Sequence, residues 1–151
     1  MATKLDAVCL ALTAMWDAAP VLASVTVYDG PQANSDPVTE ALFVGYDGDR
    51  ISETVEGAAA RQEWVAGNRM RMEDGEITCA IVVVSGEVNI PAVRARALDI
   101  LSDCEDVLRA DYLIGGAVMQ AGISETRVIP TITQSGCKVR AVFVVAYQAH
   151  L

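Results

Sequence analysis

Histidine is almost missing from this chain of 151 residues, and the one present, His150, is the penultimate residue. A serine or cysteine nucleophile needs a base held beside it, and no Gly-x-Ser-x-Gly elbow occurs. Acyl-transfer chemistry therefore has no machinery to run on. Phosphate cradles are also absent: Gly115-Gly116 is not followed by Lys-Ser or Lys-Thr, and no Gly-x-Gly-x-x-Gly appears. Cations are scarce, with 11 Lys and Arg against 20 Asp and Glu, a net charge of −9. Gripping nucleic acid needs the opposite balance, whereas an acidic surface that repels a passing polyanion is compatible with it. Aromatics make up only 5% of the residues, so the core must be built from Val, Ile, Leu and Ala. Few platforms remain for stacking bases.

No stretch approaches the ~20 apolar residues that a membrane helix requires. Asp6 interrupts the first apolar stretch and no charged n-region precedes it, which argues against a secretory leader. Cys9, Cys79, Cys104 and Cys137 are widely spaced, never form Cys-x-x-Cys, and sit among apolar residues. They read as reduced, buried thiols rather than disulfides or zinc ligands. A reducing cytoplasm is the expected setting until assembly.

What is present suits one packed domain spanning residues 1–151. The hydrophobic fraction is 52% and the charged fraction 21%, which excludes a disordered chain. A domain of this size buries roughly 70% of its unfolded surface.

Leu5, Val8, Cys9, Leu12, Met15 and Trp16 share one helical face, with Thr3 and Asp6 resembling a capping box and Pro20 marking the exit. Trp16 reads as a core anchor. Strands are expected at about 22–28 and 41–46, joined by a proline-punctuated loop. Asp47-Gly48-Asp49 is a hairpin signal, after which 51–55 returns as a strand. Residues 57–75 lack clean periodicity and read as a short strand plus an exposed, mobile loop. Residues 77–84 are apolar on both faces, the mark of a central, doubly covered strand.

Asn89 as N-cap and Pro91 in the first turn open a second helix. Its buried stripe is Val93, Ala97, Ile100, Leu101, Cys104 and Leu108, and Glu105 pairs with Arg109. Two closing strands follow at about 125–133 and 139–147, the first an edge or bulged at Pro130. The expected fold is α+β: a mostly antiparallel, mixed sheet flanked by two main helices, in the order α-β-β-β-β-α-β-β.

Asp47 and Asp49, with Asp29, supply oxygens that a hard cation uses, but no EF-hand pattern is present and an Asp-Gly turn explains two of the three. No metal, cofactor or catalytic residue is assigned. Trp64 is read either as core or as a subunit contact, since exposed tryptophan is enriched at interface hot spots. Arg69 and Arg71 are read as a solvated loop or an assembly contact. The candidate contact set is Asp47, Asp49, Arg50, Trp64, Arg69 and Arg71.

The order of these pieces resembles the tail terminator family of long-tailed, siphovirus-type bacteriophages. The resemblance runs over nearly the whole chain. It rests on the amphipathic first helix, Val27-Tyr28-Asp29-Gly30-Pro31, Leu42-Phe43-Val44-Gly45-Tyr46 and Gln62-Glu63-Trp64. Ser85-Gly86, Val93-Arg94-Ala95-Arg96-Ala97, Arg109-Ala110-Asp111, Leu113-Ile114-Gly115-Gly116 and the final hairpin complete it. Val65 and Asn68 after the tryptophan, and the ending Ala149-His150-Leu151, depart from the family's pattern.

The resemblance implies a non-enzymatic virion protein in the tail neck, made in the host cytoplasm. It would form a homo-oligomeric, hexameric ring that caps the tail tube protein and meets the head–tail connector proteins. DNA would pass its lumen without specific binding, and no membrane is involved. Two alternatives stay open: another neck component on the head side, and a small cytoplasmic ligand- or metal-binding domain using the Asp29 and Asp47 region.

Overall fold

The computed structural model describes residues 2–32, 38–50, 56–67 and 69–151. Helix α1 (Leu5–Asp17) is followed by a 3-10 turn at Pro20–Leu22. Strands β1 (Thr26–Asp29), β2 (Glu40–Val44), β3 (Ala58–Trp64) and β4 (Arg71–Ser85) come next, then α2 (Ile90–Ala110), β5 (Gln120–Thr133) and β6 (Gly136–His150). The class is α+β and the order is the one the sequence predicts. The six strands form one mixed sheet in the order β1-β2-β4-β6-β5, with β3 also on β4. Only β1 and β2 run parallel; the other pairs are antiparallel.

Both helices lie on one face because their apolar stripes have a single partner there. Val8, Leu12 and Trp16 from α1, and Val93, Ala97, Ile100, Cys104 and Leu108 from α2, join Ile77, Cys79, Ile81 and Val83 of β4 in one core. The alternating row Val139, Ala141, Phe143, Val145 and Tyr147 of β6 completes it. Trp16 is fully buried, donates its indole N–H to the Cys104 carbonyl at 3.2 Å, and meets Phe143 edge-on at 5.9 Å. Asn89 caps α2 through the Ala92 N–H (3.3 Å) and Glu105 pairs with Arg109 at 2.9 Å, both as the spacing predicts.

Strand β4 is the spine. It pairs with β6 from Met72 to Ser85. Its other edge is shared end to end, by β3 along Arg71–Ile77 and by β2 along Cys79–Val83. The seam falls at Thr78, whose carbonyl accepts from the Tyr46 N–H (3.0 Å) and whose N–H donates to the Gly57 carbonyl (2.9 Å). Gly57 lies so close to the Gly45 carbonyl that a Cβ there has no room. Tyr46 and Gly57 thus meet the sheet edge at one point.

Several expectations need correction. No hairpin partner sits on β2 about Asp47-Gly48-Asp49, because both edges of β2 are taken, one by β1 and one by β4. The strand expected at 51–55 lies outside the described residues. The short strand expected within 57–75 is β3, whereas the loop expected after it gives way at Arg71 to the first part of β4. Leu22 belongs to the 3-10 turn, so β1 starts later than expected. Thr3 does not form a capping box with Asp6; its hydroxyl accepts from the Leu5 N–H at 3.2 Å, a local turn. Strand β5 is an edge, but its bulge falls between Ile123 and Glu125, not at Pro130.

The central part of β4 is covered by helices on one face only. On the other, Ala41, Phe43 and Tyr46 form a small separate cluster with Tyr28, Val38 and Val82. Tyr28 stacks on Phe43 at 5.3 Å and Phe43 meets Tyr46 edge-on at 5.2 Å.

Opposite Gly75 on β6 stands Tyr147, and its ring lies across the space a Cβ at Gly75 would occupy. Gly75→Ala should therefore cost about 1–3 kcal/mol in urea denaturation, the usual cost of overpacking. Gly122→Ala, with no atom within 4 Å of the added methyl, should leave stability within about 0.5 kcal/mol. Equal effects at the two glycines would show that the Tyr147 ring is not fixed where described.

Candidate functional site

The six candidate contact residues fall into two groups. Asp47, Asp49 and Arg50 belong to the excursion that crosses the helix-free face. Asp47 and Asp49 are half-buried and Arg50 is exposed, while Gly48 between them is buried against Ala80, Val82 and Arg140. The Asp49 N–H donates to Asp47 Oδ1 at 2.9 Å, and Arg140 Nη1 donates to the Asp47 carbonyl at 2.7 Å. Far from a freely solvated turn, this segment is clamped to β6. Burial, then the charge of Asp47, pushes the Tyr46 hydroxyl up. Among the described residues no group of three or more His, Cys, Asp or Glu is placed to hold a metal ion.

The second group sits at the tip of the β3–β4 hairpin. Trp64 ends β3 at 71% exposure, which removes the core reading for it. Arg69 is exposed in the turn, whereas Arg71 is the first residue of β4 and half-buried, not a loop residue. Trp64 and Arg71 are register partners, and the guanidinium carbon lies 5.4 Å from the ring centre, in the range of a cation–π contact. Val65 and Met70 close the turn through a 3.2 Å backbone bond and are themselves exposed. The two groups lie far apart, since Arg71 and Ala80 are separated by roughly 30 Å of strand.

What holds the tip in place is a network that sequence reasoning missed. Arg71 Nη1 donates to Gln62 Oε1 at 2.8 Å, and Gln62 Nε2 donates to Glu73 Oε2 at 3.2 Å and to the Ala2 carbonyl. Glu73, fully buried, also accepts from the Tyr147 hydroxyl at 2.6 Å and from the Lys4 N–H at 3.0 Å. Its carboxylate thus serves the first turn of α1, where the helix dipole favours negative charge. Burial alone would push the Glu73 carboxyl up. The bonds from Tyr147, Thr3, Lys4 and Gln62 together outweigh it and hold the carboxyl below its ordinary value. Burial, then the bond to Glu73, pushes the Tyr147 hydroxyl up.

No protein-family model matches the chain, and no curated protein matches it. The site stands on its own geometry.

On the helix-free face, the lower strands enclose an open groove of about 960 Å³. Its floor is made of small residues in one cross-strand row, Ala59 on β3, Ala146 on β6 and Gly122 on β5, with Glu76 of β4 between them. The next row runs Arg61, Asp74, Gln148 and Gln120. The alternation Arg61-x-Glu63 and Asp74-x-Glu76 was the available signal, hidden by the surrounding charge.

Cys79, Cys104 and Cys137 are buried and Cys9 is half-buried. All four are free, and burial pushes the Cys9 thiol up to about 11 and the Cys104 thiol up to about 12. Thiolate is the reactive form, and it is scarce at such values near neutral pH.

Glu73 gives a signed pH prediction. Its carboxyl titrates lower in the folded chain than in the unfolded one. The stability it adds is complete above the unfolded value, about 4.3, and is lost as pH falls through the lower folded value. Glu73→Gln should start about 1–3 kcal/mol less stable at pH 7, because one of the two oxygens that accept from its neighbours becomes an NH2 donor. It should also lose less stability than wild type as the pH is lowered from about 5. Parallel pH–stability curves from denaturant melts would contradict this.

Proposed function

We propose that this chain is a structural subunit of a closed ring, hexameric by the resemblance, that caps a phage tail tube. The ring stops tube polymerisation and forms part of the head–tail joint. The observation that carries the reading is the number of strand edges left open. Among the described residues, β1, β3 and β5 each pair with one neighbour only. Strand β5 runs over 14 residues with mostly exposed side chains.

Long open edges are an aggregation hazard that proteins normally blunt, and pairing between copies covers them. The exposed Trp64, Val65 and Met70 at the hairpin tip add an aromatic and a methionine, residue types enriched at contact surfaces. An open tube end keeps adding subunits until something with a different upper face closes it, and a ring with one tube-matching face does so. The role requires no bond to be made or broken. The acidic balance of the chain fits a lumen that passing DNA does not adhere to.

In this reading the protein resides in the tail neck of the virion and in the host cytoplasm beforehand. No helix among the described residues is long and apolar enough to cross a membrane. The partners are further copies, the tail tube protein and the head–tail connector proteins.

Electron microscopy of particles made without the protein tests the role. Tails well beyond normal length, without heads, are expected. Normal-length tails left unattached would instead assign the protein to the head side of the neck. Complete particles would overturn both readings.

A further inference from the structure

We infer that the hairpin tip of one copy seats in the acidic groove of the next, giving a head-to-tail contact between copies. This rests on the ring reading above and names the surfaces that would build the ring.

The chain carries nearly two acidic residues for every basic one, yet residues 64–71 contain Arg69 and Arg71 and no acid. The tip is therefore a basic, apolar patch on an acidic protein. The groove is its complement. Glu63, Asp74 and Glu76 line it against the single cation Arg61, and none of the three carboxylates forms an ion pair among the described residues. The small floor of Ala59, Gly122 and Ala146 leaves room for a flat ring, and a volume of about 960 Å³ is ample for one.

A chain cannot satisfy itself in this way. Register pairs Trp64 with Arg71, in phase with Gln62–Glu73 and Ala58–Ile77, on the helix-bearing face. Arg61–Asp74 and Ala59–Glu76 are in the opposite phase, on the bare face that holds the groove. Donor and acceptor patches thus lie on opposite sides of one sheet. A single tip-in-groove contact leaves one tip and one groove unfilled, a heterologous interface that closes into a ring or continues as a filament. Trp64 is also held before contact, through Arg71, Gln62 and Glu73, so little ordering is left for binding to require.

Sedimentation over a concentration series, on wild type and on single-patch variants, tests this. Trp64→Ala and Arg69→Glu disable the tip; Asp74→Lys and Glu76→Lys disable the groove. All four positions are exposed, so melting temperatures should stay near wild type, and a variant that melts early is replaced by its partner at the same patch. Each variant should weaken self-association at least tenfold. An equimolar mixture of Trp64→Ala and Glu76→Lys should form dimers and nothing larger, since each pair has one intact tip facing one intact groove. If the variants assemble like wild type, the docking is wrong while the ring survives. A mixture that remains monomeric overturns the head-to-tail contact. Wild type that stays monomeric alone, and also when mixed with tube protein, overturns both.

Discussion

Everything in this molecule is referred to one strand. β4 is long enough to pair with β6 throughout while offering its other edge to two shorter strands in succession. Its apolar residues from Ile77 to Val83 bind the helices on one face, and its polar first half has a different task. Because β2 and β3 share that edge, Tyr46 and Gly57 come together at Thr78. The clamped segment around Asp47, the Phe43 cluster beneath it and the projecting hairpin all follow from that arrangement.

The polar half of β4 is where stability and surface chemistry meet. Glu73 is a buried charge, normally costly, and is tolerated because four donors converge on it. Through Gln62 and Arg71 the same network reaches the exposed Trp64. An exposed tryptophan fixed by hydrogen-bonded neighbours is a poor choice for solubility alone. It suits a surface meant to meet another.

Where side chains obey a simple period, the fold was legible. The stripes of both helices, the alternation of β6 and the apolar run of β4 each face a single core, so hydropathy alone marks them. It failed from Ala58 to Gly75. There Arg61, Glu63 and Asp74 point away from the helices, while the opposite face holds Ala60, Gln62, Glu73 and Gly75 and, as its one large apolar residue, the exposed Trp64. Tyr147, distant in sequence, covers Glu73 and Gly75, and a strand decided by a distant partner does not announce itself locally. The same cause explains the misread Asp47 turn, whose place is set by Thr78 and Arg140. Of the candidate site, Trp64 and the basic tip were visible as residues, but the groove opposite them required the register of four strands.

The central claim is that the protein acts by joining copies of itself edge to edge and tip to groove into a closed body. Electron microscopy of the purified protein, alone and with tube protein, measures this directly. The account predicts rings of one diameter with a central opening. Single compact particles under both conditions would contradict it.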